Sequence, residues 1–269
     1  MPELPEVETT VKSLDILKNK KVINVDIHVK KLRYLVPHLD LKNIINYKIT
    51  NLRRIAKYII IDFDNLKSVI IHLGMSGRLK IVKLNVALNK HDHVVFKFNK
   101  LKLIFNDPRR FGFVDIVNSE KISNISYIKK LGIDALDNKL SEDYIFNKFK
   151  NSQVLIKQLL LNQYIVAGIG NIYACEILYD AKISPLRKGR SLKKSQIGTI
   201  LKSSRKILTK AIKCGGSSIN DYVSPDGTLG NFQKNFKVYG RAGYKIKGCK
   251  IKKVVLHGRS TFFCPEIQK

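Results

Sequence analysis

The chain has 269 residues, 44% of them hydrophobic, which suits one large or two modest domains and excludes a mostly disordered polymer. No apolar run nears the roughly 20 residues that span a bilayer, and four scattered cysteines without a C-x-x-C make no disulfide framework. Fifty Lys and Arg against 21 Asp and Glu leave a net charge of +29, which points to a polyanionic partner.

The opening MPELPEVETT carries acids and no apolar core, so no secretory signal is expected and a cytoplasmic protein follows. Residues 5–18 read as a helix: Pro5 suits its first turn, Glu6 and Glu8 favour the positive end of its dipole, and Val7, Val11 and Leu14 share a face. Residues 22–116 are β-rich. VINVDIHV, YIIIDF, SVIIHL, HVVFKF and LKLIF are short runs of Val, Ile and Phe separated by turn material such as DNLK, GMSG and NDPRR. A β-sandwich of about eight strands with an N-terminal helix is expected.

From about residue 125 the pattern turns helical. Ser141 is a candidate N-cap, and helices are expected over 152–163, 171–182 and 191–213. Residues 186–214 hold ten Lys or Arg and no acid, a strongly cationic stretch. The glycine-bearing segment 215–231 is too long for a plain connector and reads as a functional loop. In the tail, KVYGRAGYKIK and KKVVLHGRSTFFC read as β-hairpin material. The domain boundaries expected are therefore 1–130, 131–231 and 232–269.

The terminus offers chemistry. Met1 before the small residue Pro2 is a context in which the initiator is removed, leaving a secondary amine. Such an α-amine titrates near pH 8, so a useful fraction is nucleophilic at neutral pH. Attack on a sugar C1′ would give an iminium, with Glu3 and Glu6 beside it as acid and base. Met75 lies between Gly74 and Gly77 in a tight turn, where an apolar side chain could enter the gap left by an extruded base. VAGIGN is not a dinucleotide fingerprint, because Tyr173 stands where the third glycine belongs.

MPELPEVETT, RRIAKY (53–58), HLGMSGRL (72–79), KHDHV (90–94), NDPRRFG (106–112), VAGIGNIYACEIL (166–178), GGSSINDYV (215–223), VYGRAG (238–243) and GRSTFFC (258–264) together resemble the formamidopyrimidine-DNA glycosylases, in the family's order and along almost the whole chain. The resemblance implies an α+β fold: an N-terminal helix with a β-sandwich, then a helix–two-turn–helix domain bearing a hairpin finger. It implies a bifunctional glycosylase and AP lyase of base excision repair, acting as a monomer on damaged double-stranded DNA in a bacterial cytoplasm, at the nucleoid. No small-molecule cofactor and no membrane enter that chemistry.

Residue by residue, the resemblance makes Pro2 the Schiff-base nucleophile and Glu3 the acid that helps open the deoxyribose. Glu6 supports them. Lys57 holds a phosphate and assists β-elimination, and Arg259 grips the lesion phosphate for δ-elimination. Met75, Arg109 and Phe111 match the residues that fill the void behind a flipped base. His91, Lys157 and Asn171 match DNA-backbone ligands, with Glu176 supporting Asn171. His72 also falls in a matching motif and is expected to be structural. The loop 215–231 matches a lesion-reading loop.

The sequence departs from the family at the finger. Its four zinc positions correspond here to Ile246, Cys249, Cys264 and Ile267, so a zincless finger held by apolar packing is expected. Two other readings compete. An endonuclease VIII-like enzyme for oxidised pyrimidines typically opens with Gly where Leu4 stands. A catalytically inactive DNA-binding protein would have no need of Pro2, Glu3, Lys57 and Arg259 together.

Overall fold

The computed structural model describes residues 2–218 and 224–269, so Met1 and residues 219–223 of the GGSSINDYV motif lie outside it. The described chain divides into two compact units, Met1–Lys129 with Cys214–Gln233, and Lys130–Lys213 with Lys234–Lys269.

The first unit opens with helix α1 (Leu4–Ser13), continued by a 3-10 turn over Leu14–Leu17. Glu3 is its N-cap, and Glu6 turns back to accept the Glu3 backbone N–H at 3.0 Å, part of a capping box that fixes where the helix starts. The strands are β1 (Asn24–Ile27), β2 (Ile49–Ile55), β3 (Tyr58–Phe63), β4 (Lys67–His72), β5 (Arg78–Lys83), β6 (Asp92–Lys97), β7 (Leu101–Asn106) and β8 (Phe113–Asn118). Short helices α2 (His38–Lys42) and α3 (Ser126–Lys129) join them.

The eight strands form two four-stranded antiparallel sheets, in orders β1-β6-β7-β5 and β2-β3-β4-β8. Alternate residues such as Ile59, Ile61, Val69 and Ile71 from one sheet meet Val94, Phe96, Leu103 and Phe105 from the other in one core. Val7, Val11, Leu14 and Leu17 of the N-terminal helix complete it. Apolar burial of this extent is the main stabilising term of the unit.

The second unit holds β9 (Ile133–Asp134), α4 (Glu142–Phe149), α5 (Ile156–Leu161), β10 (Val166–Ala167), α6 (Asn171–Asp180) and α7 (Lys194–Lys213). Ser141 caps α4 as expected, its Oγ accepting the Tyr144 N–H at 3.2 Å. The tail forms two small antiparallel pairs, β11 (Lys245–Ile246) with β12 (Cys249–Lys250) and β13 (Lys252–Leu256) with β14 (Arg259–Phe263). Among the described residues no helix is long and apolar enough to cross a membrane.

The compact units are discontinuous in sequence: Cys214–Gln233 groups with the sandwich and Lys234–Lys269 with the helices. The physical reason lies in bonds such as Ser217 to Glu6 and the Ile81 N–H to the Pro225 carbonyl, which a linear reading of composition does not contain.

Candidate nucleic-acid site

In the first unit the site begins at the N-terminal end of α1. Pro2, Glu3 and Glu6 are buried there. One Glu6 oxygen accepts the Glu3 N–H, and the other accepts both the Ser217 N–H at 2.7 Å and its hydroxyl at 2.9 Å. Glu6 therefore acts as a strut between the start of the helix and the 214–233 segment. Gly216 faces it with φ +77° and only 3.1 Å between a would-be Cβ and Glu6 Oε1.

Lys57 occupies the two-residue turn between β2 and β3, whose last pair is Ile55 with Tyr58. The turn puts Ala56 at φ +52°. Arg54 anchors it, donating Nη1 to the Ala56 carbonyl at 2.8 Å and Nε to Glu8 of α1 at 2.8 Å. The N-terminal helix and the Lys57 turn are thereby tied together, and Lys57 is itself buried.

His72 ends β4 opposite Tyr58, its ring 5.7 Å from that of Phe113 and near parallel to it. Burial first, then the charges of Lys57 and Arg33, lower its pKa to about 4. The ring is thus neutral at pH 7, and its Nδ1 accepts the Gly74 N–H at 3.1 Å. This role suits the structural expectation and seats the turn that carries Met75.

Met75 is 39% exposed and Phe111 46%, while the Arg109 guanidinium lies 5.0 Å from the Phe111 ring centroid. The turns bearing them touch through backbone: a Cβ on Gly74 would fall within 3.0 Å of Gly112 N and Phe111 C. His91 is half-buried, and its carbonyl accepts the Asp107 N–H at 3.1 Å.

In the second unit Lys157 is almost fully buried, at 1% exposure. Its ammonium donates to Asn171 Oδ1 at 2.6 Å, Thr261 Oγ1 at 2.6 Å and the Ser260 carbonyl at 3.2 Å. Asn171, the first residue of α6, also donates to the Ser260 carbonyl at 3.0 Å. Gly168 enters that turn at φ +103°.

These bonds hold the hairpin strand β14 beside the turn, so Lys157 is oriented inward and Asn171 links turn to hairpin. Exposed Arg259 opens β14 and borders a hollow of about 350 Å³ lined by Gln158, Leu161, Asn162, Leu256 and His257. Glu176, one turn into α6, accepts the N–H groups of Lys237, Val238 and Tyr239 at 2.8–2.9 Å. Burial raises its pKa against these bonds, which lower it.

The finger does not fit zinc. Against the expectation of unpaired cysteines, Cys249 and Cys264 are joined in a disulfide with Cα atoms 6.1 Å apart, because the finger strands bring residues 15 apart in sequence together. Ile246 packs on the apolar cluster of Cys175, Val238, Ile251 and Phe262. Tetrahedral zinc takes four N, S or O ligands. Among the described residues no three His, Cys, Asp or Glu gather as a metal site.

Sequence reasoning passed over Ser76 and Asp107. Both lie inside recognised motifs, but Asp before Pro reads as an ordinary turn residue. Asp107 is fully buried between the turns of Met75 and Phe111.

Two family models match the chain: the formamidopyrimidine-DNA glycosylase N-terminal domain over residues 1–114 and the formamidopyrimidine-DNA glycosylase H2TH domain over residues 131–223. The formamidopyrimidine-DNA glycosylases of Rickettsia canadensis and Zymomonas mobilis are each 43% identical to it over 272 residues. Those alignments cover 100% of this chain and 99% and 100% of the relatives. A solved complex of a Lactococcus lactis homologue with Fapy-dG-containing DNA superposes with a TM-score of 0.94 at 34% identity, covering 100% of both chains.

Proposed function

The chain belongs to the formamidopyrimidine-DNA glycosylase family, the DNA-repair glycosylases and AP lyases, and from that premise we propose that it excises oxidised purines through a Pro2 Schiff base. The substrates are 8-oxoguanine and formamidopyrimidines in duplex DNA. The observation that carries this reading is the tie between the start of α1 and the Lys57 turn, made by Glu8 and Arg54.

After removal of Met1, the Pro2 nitrogen attacks C1′ and the bond from C1′ to the base breaks. Glu3 protonates the ring oxygen as the deoxyribose opens, leaving an iminium that draws electrons from C2′. Loss of a C2′ proton then expels the 3′ phosphate, assisted by Lys57, and a second elimination expels the 5′ phosphate, assisted by Arg259. Met75, Arg109 and Phe111 fill the space the base vacates, and His91 and Asn171 contact the backbone. Lys157, from behind Asn171, adds positive potential at the same place.

These steps use side chains and the terminal amine alone, and apolar packing holds the finger in place of a metal, reinforced by the Cys249–Cys264 bond only where the pair is oxidised. The protein acts as a monomer in the cytoplasm, at the nucleoid. A second reading has one specific support: a Lactococcus lactis relative has been solved with DNA containing an oxidised pyrimidine. Side-by-side excision of 8-oxoguanine and thymine glycol separates the two substrate classes.

The main test is borohydride trapping on a duplex with 8-oxoguanine opposite cytosine. A covalent adduct from wild type and none from Pro2→Gly is expected. No adduct from folded, DNA-binding wild type would overturn the reading for this substrate.

A further inference from the structure

We infer that Asp107 and Ser76 are positioning residues: a buried clasp that locks the Met75 turn to the Arg109–Phe111 turn, so that the void-filling side chains meet a duplex already arranged. The inference rests on the functional reading above and assigns work to two residues that touch no DNA in it.

The clasp is a closed chain of donors and acceptors. Asp107 is 0% exposed and Ser76 4%. The Ser76 hydroxyl donates to Asp107 Oδ1 at 2.6 Å and accepts the Arg109 N–H at 3.1 Å. Asp107 Oδ2 accepts the Gly112 N–H at 2.7 Å. The two ends of the Arg109–Phe111 stretch are thus pinned, one through Ser76 and one by the carboxylate directly. Hydrogen bonds to an ionised acceptor are the stronger kind, and a buried carboxylate left without them is costly.

The hub is fixed from below as well. The Asp107 N–H donates to the His91 carbonyl at 3.1 Å, and His93 Nε2 lies 2.9 Å from the Asp107 carbonyl. Above the clasp the two backbones are in contact, since a Cβ on Gly74 or on Gly112 would come within 3.0 Å of the opposing main chain. Met75 and Phe111 nonetheless stay exposed. Apolar side chains held out in water on rigid turns are what insertion into a base stack requires, because ordering has preceded binding.

The dependence should follow the substrate. Excision from a duplex leaves a void opposite an orphaned base, whereas an abasic site in a single strand leaves none. A misplacement of 1 Å can lower a rate on the order of 100-fold. Ser76→Ala breaks both bonds of the serine, and Asp107→Asn sets an amide where a hydrogen-bond-accepting oxygen stood. For each, single-turnover excision of 8-oxoguanine from duplex is expected to fall about 10- to 100-fold. Strand cleavage at a single-stranded abasic site should stay within about twofold of wild type. Ser76→Thr, which keeps the hydroxyl, should restore duplex excision.

Duplex excision by Ser76→Ala and Asp107→Asn within about twofold of wild type overturns the inference. So does an equal loss on both substrates, which would make the clasp a support of the whole unit. Wild type inactive on both substrates refutes the functional reading itself, and the inference falls with it.

Discussion

The turns that carry Met75 and Phe111 and the finger hairpin are each held by a buried acidic or basic side chain, and the two side chains differ in reach. Asp107 gathers Ser76 and Gly112, both within the sandwich turns, 31 and 5 residues away. Lys157 gathers Asn171, 14 residues away, and Thr261, 104 residues away. The first arrangement shapes turns between strands that pair without it. The second joins elements remote in sequence, so it bears on whether the hairpin docks at all. A charge with local partners sets geometry, and one with distant partners sets assembly.

The sharpest way to break this contrast is Lys157→Met. It leaves Asn171 Oδ1 and Thr261 Oγ1 without their donor, and the expected cost is about 4 kcal/mol, as two or more buried polar groups lose partners. Hydrogen exchange should quicken across β13 and β14 while the amides of Arg109 and Gly112 keep their protection. Equal loss in both regions would erase the distinction.

Reduction comes next. The Cys249–Cys264 bond closes a separation of 15 residues, a loop size for which cross-linking contributes about 3 kcal/mol. Dithiothreitol should lower the melting temperature, and EDTA should leave it unchanged. A fall with EDTA would mean that a metal, not the disulfide, holds the finger.

Glu176→Gln tests a third buried group, whose three acceptor bonds fix the chain entering the finger. Turning an amide towards N–H donors should cost about 2 kcal/mol, read by urea denaturation. Duplex binding should weaken with it, while an isolated effect on the turns of Met75 and Phe111 would contradict the local character of each hub.

The smallest effect is pH dependence on the sandwich side. His72 has a folded pKa of about 4 against an ordinary 6.5, so the unfolded chain binds the proton more readily. Its contribution is fully present above pH 6.5 and is lost as pH falls towards 4. By pH 5.5 the loss should be about 1.4 kcal/mol, and His72→Gln should flatten that part of the stability profile.

Much of this architecture was legible in the residues. Runs such as YIIIDF and SVIIHL announced their strands because both faces are rich in Ile and Val. Strands β2 and β5 were hidden because Asn, Arg and Lys line their outer faces, leaving too few apolar positions for a clear alternation. The expected helix over 152–163 shortened to Ile156–Leu161, since its flanks form turns. Pro2, Glu3 and Lys57 stood out through motif and terminal chemistry. The burial of Lys157 did not, because a helical lysine normally faces water and its partners Ser260 and Thr261 lie a hundred residues on. The membership of Cys214–Gln233 in the first unit was hidden for the same reason.

The strut at Glu6 has a consequence for how the molecule is made. Its carboxylate meets Ser217 across a separation of 211 residues, so the ribosome must deliver most of the chain before the first helical turn gains its partner. Closing so long a loop carries an entropic cost that grows only slowly with length, but pairing across it delays folding. The sandwich strands can pair as they emerge, while the unit's last segment arrives after the helices of its neighbour have been synthesised. A truncated product ending before residue 217 therefore lacks the bond that braces the start of its first helix.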